Sequence, residues 1–474
     1  MYDRVGRDLL GVLTFSLLGF SFAQASEVYE LKEIQVTAPI LGESPERVGQ
    51  EVKVVSKEEL KSFGYNIYTG LDVRERGGFG VQEDLSLRGT TFEQNLVLVE
   101  GIRLSDLQTG HHLMNLPFSS QQIKALEILP GGASPLYGAG GFGGALNFVL
   151  DETKPGIDYK VGFGSYNFLE SLLSLGIPMK EDRAIRLNLE SRKASGFIWN
   201  RDFDIKSFNL YSKGKDSFLF YGFVEKDFGA RNFYTPRFDT EWEETRTHLF
   251  LGKKLISFHN LLFEPAFLYR KNYDYYLLNR HNPNFYKNTH ETYLYRVNLP
   301  FLLEFNRINL FFGIEGSYEK LKSTRLDEYL RRNLSFYTGL KVNPLEYLFV
   351  TFQGRYDYYV GEKDFLSWGI GLSYLIKQNL KLRAQVNYSF RLPSAIELKY
   401  YSLGIKGNPE LEAEKALNME AGFDLSTNLL ELSFTLFHRR GKDLIDWIAL
   451  PNKPTLAENI AVSSLGATLD LKKK

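Results

Sequence analysis

The sequence predicts a mainly β protein, a transmembrane antiparallel β-barrel of about 16 strands that follows a compact N-terminal α/β domain. Three observations predict it. Beyond residue 156, long stretches alternate large apolar and polar residues with a period of two. The breaks between those stretches are short and longer in turn. Aromatic residues make up 15% of the chain, a composition that suits strands and membrane interfaces. Charge is balanced, 57 Lys+Arg against 57 Asp+Glu, so no nucleic-acid partner is expected. With no Cys, disulfides, thiolate metal sites and thiol catalysis are excluded. Seven His weigh against a dedicated metal cage, and neither a metal site nor a cofactor is expected.

Residues 1–25 read as a signal peptide. Arg4 and Arg7 precede an apolar stretch from Leu9 to Phe22, and Ala23-Gln24-Ala25 supplies the small-x-small cleavage pattern. The stretch falls short of the roughly 18 apolar residues that a spanning helix needs. A secreted chain without cysteine fits a bacterial envelope protein. Residues 26–48 then form a leading segment and linker, 49–155 the α/β domain and 156–474 the barrel.

In the α/β domain, Ser56 and Glu59 are spaced as a capping box, with Gly64 placed to end the helix. Ser119 and Gln122 repeat the spacing before a strand from Leu126 to Leu129. Glycines crowd at 131–132 and 138–144, where they permit tight turns and close backbone packing. A phosphate loop does not fit, since the Lys-Ser/Thr pair is missing.

In the barrel, Leu366, Trp368, Ile370, Leu372, Tyr374 and Ile376 alternate with Ser367, Gly369, Gly371 and Ser373. Leu380 to Phe390 alternates with Lys381, Arg383, Gln385, Asn387 and Ser389 in the same way. Short breaks fall at 180–182, 213–216, 254–257, 306–307, 343–346, 377–379 and 427–428. Longer ones fall at 229–241, 277–288, 391–415 and 441–458. A soluble sandwich would also alternate, but strands of roughly ten residues with aromatics near their ends favour lipid outside.

These residues carry a resemblance across most of the chain. Leu85-Ser86-Leu87-Arg88-Gly89, Leu96 to Ile102, and Ile123 through Gly131, Tyr137 and Gly138 to Phe148 resemble the plug domain of TonB-dependent outer-membrane receptors. Phe390 to Ser394, Glu397-Leu398, Gly407 to Leu411, Glu414-Lys415 and Asp443-Leu444-Ile445 are similar to that family's barrel blocks. The resemblance implies a plug within the barrel lumen, an outer-membrane location with both termini periplasmic, and no enzyme activity. It also implies TonB as the partner for energised uptake of a scarce metal chelate, a ferric siderophore first and cobalamin second. A monomer in outer-membrane lipid is expected.

Glu33-Ile34-Gln35-Val36-Thr37-Ala38 resembles a TonB box, an extended segment able to add as a strand to a partner's sheet edge. Arg88, Gly89, Glu127, Gly131, Tyr137 and Gly138 mark the plug motif, and Arg88 is expected to pair with acidic groups in the plug or on the barrel wall. By its place after Glu100-Gly101, the loop with Gln108, Thr109, His111, His112 and Met114 resembles an apical plug loop, a candidate substrate contact; its bland reading is a solvated loop. His281, His290, Tyr275, Tyr276 and Tyr286 are candidates for an outer rim. Transporters of this type have about 22 strands, so about 16 reads as shortened at the C-terminus. The expectation is either a truncated chain that does not assemble or a closed barrel too narrow for an inserted plug. A passive porin and a barrel enzyme are the remaining alternatives.

Overall fold

The computed structural model describes residues 45–473, apart from 64–67, 69, 180–182, 236, 378, 403, 450 and 452. The signal peptide and the 33–38 segment lie outside the described residues, as does Gly64.

The plug begins with β1 (Lys53–Ser56) and the short α1 (Lys57–Phe63). The junction is the capping box that the sequence predicts. Ser56 N donates to Glu59 Oε2 at 2.8 Å and Glu59 N to Ser56 Oγ at 3.3 Å. A hairpin follows, β2 (Leu71–Arg76) and β3 (Gln82–Leu87). Then come β4 (Asn95–Val99), β5 (Ile102–Arg103), β6 (Ile123–Pro130), α2 (Ser134–Tyr137) and β7 (Gly144–Leu150). They form a five-stranded sheet in the order β1-β6-β7-β4-β5, in which only the β4–β7 pair is parallel. Every residue of β4 and β7, inner strands of this sheet, is buried, while Lys124 near the start of β6 is exposed.

Around it runs an antiparallel sheet that starts with β8 (Gly156–Gly164) and ends with the strand Thr455–Lys473. Among the described residues, sixteen of its strands have nine residues or more. The strand order brings the last strand back beside the first, which makes the sheet a barrel. That seam is the thinnest part of the wall. Along β8 both faces are exposed, with Ile157 at 73% and Tyr159 at 81%, whereas the strands between Phe203 and Leu277 show a buried inner face.

Alternation resolves as expected. Leu366, Ile370 and Leu372 face outward and are exposed, while Ser367 and Ser373 are fully buried inside. The inner residues are small for a local reason. Pro135 of α2 packs against Gly369, and the backbone of Gly49 lies against Gly371 and Leu372. Aromatic ladders such as Phe263, Phe301 and Phe312, with ring centroids 4.4 and 5.2 Å apart, run across outer strands.

Two connections differ from the sequence reading. After Lys254 an extra hairpin forms, Ile256–Phe258 with Leu261–Phe263. The long break expected at 441–458 shrinks, because the strand Leu430–Ile448 continues past Gly441 through a register shift between Gly441 and Leu444. The expectation of a lumen too narrow for the plug also fails. Tyr211, Phe218, Phe220, Leu249, Leu251, Leu268 and Leu294 of the wall join Leu104, Met114, Phe118 and Phe148 of the plug in one buried apolar cluster. Sixteen strands suffice because inner side chains fill the gap to the plug directly.

Candidate ligand and coupling sites on the plug

Arg88 sits at a left-handed turn, with φ of 50° followed by Gly89 at 72°. The turn aims a buried guanidinium at the wall. Its Nη1 donates to Glu420 Oε2 at 2.7 Å, its Nη2 to Glu51 of the plug, and Phe437 lies under it at 4.7 Å. Arg383 of the wall reaches the same Glu51 at 3.5 Å. Arg88 thus pairs both with the plug and with the barrel, a joint that one residue's sequence context could not specify.

Gly131, with φ of 85°, faces Glu420, and Gly138, with φ of 75°, faces the Arg355 guanidinium. A Cβ at Gly132 would fall 1.8 Å from Asn387 Oδ1. Ser134 Oγ donates to Phe390 O at 3.3 Å and accepts from Phe390 N at 3.2 Å. The glycine-rich segment therefore packs closely against three wall strands, Leu348–Tyr359, Leu380–Arg391 and Glu414–Ser426, in line with its close-packing reading. Tyr137 is buried in a small apolar cluster with Leu96 and Leu98. Glu127 accepts from Asn147 Nδ2 at 2.8 Å.

The 104–116 loop sits beneath the longer connections. Thr109 starts a short turn over Gly110–His112. Glu93 Oε1 accepts from Thr109 Oγ1 and Gly110 N, both at 2.9 Å. Arg270 of the wall holds the loop twice, to Asp106 at 2.5 Å and to His112 O at 2.7 Å. Gln108, Thr109 and His112 are only 3 to 4% exposed, so the loop is not solvated. It is roofed by Tyr234, whose hydroxyl donates to Glu243 at 2.5 Å, and by α3 (Ala395–Lys399), whose Ala395 N donates to Leu107 O at 2.9 Å.

The two adjacent histidines part company. His111 Nδ1 meets Asp84 at 2.6 Å and its ring stacks on Phe92, yet burial outweighs Asp84 and lowers its pKa. His112 faces Asp274 at 3.5 Å; burial alone would lower its pKa, but Asp274, Asp106 and Glu243 hold it above the ordinary value. Met114 turns away into the apolar cluster, apart from the histidines. Of the outer-rim candidates, His290 is buried and bonds Ser323, His281 stacks on Trp199, and Tyr276 donates to Glu241 at 2.6 Å.

The longer connections carry a rim of arginines over aromatic rings, of which the sequence reading names Tyr286 but none of the arginines. Arg201 lies over Phe233 at 4.4 Å, Arg280 over Trp242 at 4.0 Å, Arg325 over Tyr286 at 4.5 Å and Arg231 over Trp199 at 5.9 Å. Arg280 is neutralised by Asp202 at 2.6 Å, whereas Arg201, Arg231 and Arg325 have no carboxylate partner among the described residues. The signal was present as Arg and aromatic residues recurring in those connections.

Comparison with known proteins decides the family. The TonB dependent receptor-like beta-barrel family matches residues 136–472, and the TonB-dependent Receptor Plug Domain matches residues 44–145. The chain belongs to the TonB-dependent receptors. These are outer-membrane proteins that transport a ligand rather than catalyse a reaction. The chain is 24% identical to the vitamin B12 transporter BtuB of Vibrio vulnificus, over 93% of this chain and 75% of that one. To BtuB of Vibrio cholerae it is 24% identical over 40% of this chain and 33% of that one. In structure it is similar to the siderophore receptor PirA from Pseudomonas aeruginosa, with TM-score 0.69, 14% identity, and 89% and 81% of the two chains covered. It is also similar to the ferric yersiniabactin uptake receptor FyuA from Yersinia pestis, with TM-score 0.66, 14% identity and coverage of 89% and 76%. At these identities the structural likeness concerns the fold.

Proposed function

We propose that this receptor takes up a ferric siderophore at the end of the longer connections, energised by TonB acting on residues 33–38. The arginine and aromatic rim carries the reading. Guanidiniums without carboxylate partners, each resting on a ring, suit an anionic chelate with planar groups, since they offer charge, hydrogen bonds and stacking together. The filled lumen supports energised rather than passive passage, because wall side chains pack against the plug's own core. Pro45, the first of the described residues, lies beside the short turn at 377–379, where Lys381 Nζ donates to its carbonyl oxygen at 2.8 Å. That placement supports a periplasmic short-turn side, with the longer connections outside the cell.

Cobalamin is the second reading, favoured by the B12-transporter likeness through 93% of the chain. A binding screen of the purified protein against ferric siderophores and cobalamin separates the two. Ile34→Pro, which removes a backbone donor and fixes φ, should abolish uptake while surface binding persists. Normal accumulation in that variant would remove residues 33–38 from the coupling role.

A further inference from the structure

Beneath the roof formed by Tyr234, three buried side chains from distant parts of the chain meet. His112 ends the short turn of the plug loop, Glu243 lies at the start of the strand Trp242–Lys254, and Asp274 lies near the end of the strand Ala266–Leu277. The two strands are register neighbours with Thr245 opposite Asp274, so Glu243 and Asp274 share the inner face as a diagonal pair. One ligand atom from each residue lies within 4.8 Å of the others, and the three residues are 3 to 5% exposed.

Two carboxylates in such a place need positive charge. Elsewhere in the lumen that charge is arginine: Glu315 faces Arg103, Arg296 and Arg355, and Glu414 faces Arg391. Here no Lys or Arg pairs with either carboxylate among the described residues, and Arg270 nearby is committed to Asp106 and to His112 O. Acceptor capacity is also left over. Asp274 Oδ1 and Gln108 Oε1 are buried without a hydrogen-bond partner. Gln108 Nε2 donates to the other oxygen of Asp274 at 2.6 Å, which sets its carbonyl oxygen beside the cluster.

We propose that His112, Glu243 and Asp274 bind a divalent transition-metal ion of the zinc class, joining the plug loop to the barrel wall. One imidazole nitrogen with two carboxylates is the donor set that such ions accept, and it leaves a fourth position for water or for Gln108 Oε1. Donors around a four-coordinate ion lie about 3.3 Å apart, so ligand atoms now within 4.8 Å of one another close by up to about 1.5 Å on binding. His112 coordinates through Nε2. Asn115, whose amide lies 3.4 Å from Nδ1, orients the ring and accepts from Nδ1–H once its amide is turned. Binding displaces the imidazole proton.

The site rests neither on the identity of the chelate nor on coupling to TonB, and it is tested without either. Full-length receptor in detergent, its folding verified by heat-modifiable gel mobility, is titrated with Zn²⁺ by calorimetry and with Co²⁺ by visible absorption. The expected result is one ion per chain, with affinity at least tenfold weaker in His112→Ala and in Asp274→Asn and unchanged in His438→Ala on the outer face. X-ray absorption of the zinc-loaded natural sequence needs no variant and should show one imidazole among oxygen ligands. Absence of stoichiometric binding, equal affinity in natural protein and both site variants, or an all-oxygen shell without imidazole would each overturn the site.

Discussion

Along the arc of wall between Phe203 and Leu294, the plug meets Tyr211, Phe218, Phe220, Leu249, Leu251 and Leu268, which share one apolar cluster with Phe118 and Phe148. That arc also carries two ion pairs to the plug, Lys213–Glu100 at 2.6 Å and Arg270–Asp106 at 2.5 Å, whereas along the arc from Arg296 to Thr435 charge predominates. Arg103 reaches Glu315 at 3.0 Å, Arg88 reaches Glu420, and Gln94 donates to Glu414 at 3.0 Å. The two arcs respond differently when water enters. Apolar contact loses about 25 cal/mol for every Å² exposed. Buried ion pairs gain back in hydration much of what they lose in mutual attraction, so their net contribution is near zero even though breaking one partner alone is costly. A plug drawn toward the short-turn side should therefore open first along the charged arc and stay attached along the apolar one. A path that opens there is lined with arginine, which matches the anionic ligand proposed above.

The largest expected effect comes from breaking a charge cluster unevenly. Arg88→Ala leaves Glu420 buried without its partner and Glu51 with Arg383 alone, and should destabilise plug seating by about 3–5 kcal/mol, read by hydrogen exchange in β6 and β7. Adding Glu51→Gln and Glu420→Gln should recover most of that loss; no recovery would mean that the ion pairs contribute real net stability and that the two arcs do not differ. Next, Phe220→Ala on the apolar arc removes a fully buried ring that meets Phe118 edge-on at 6.0 Å. A loss of about 3 kcal/mol is expected, with no rescue by any charge change.

Smaller is Gly132→Ala, whose new methyl must displace Asn387 and Ser389. A cost of about 1–3 kcal/mol, with slower uptake of the identified ligand, is expected. Smallest is a pH effect at the loop end. Burial and the facing Glu397 hold the Glu93 carboxyl above the usual range. Its folded pKa exceeds its unfolded one, so the folded chain keeps the proton longer, and the stability from this group falls as pH rises from the ordinary carboxylate range toward neutrality. His112, also raised, acts in the same sense. Exchange at the Gly110 amide should be slower in mild acid, after the intrinsic rate is divided out, and Glu93→Gln should flatten the dependence. A profile that rises with pH instead would reverse the assignment.

The sequence by itself determined the class of fold and the local devices. Period-two alternation from Leu366 to Phe390 states which residues face lipid, because successive side chains of a strand must point to opposite sides. The spacing of Ser56 and Glu59 states a helix start, and glycine at 131, 132 and 138 states close approach of backbone to something. What was approached could not be read. Alternation fixes the face of a residue but not its height in the barrel or its bearing around the axis, and both depend on register and on how the plug is turned within the lumen. Only the tertiary structure decided that Arg88 would join Glu51 to Glu420, that Met114 would leave its loop for an apolar cluster, and that His112 would face Glu243 and Asp274. These partners are far apart along the chain, and packing the plug against a closed wall is what gives each buried charge its neighbour.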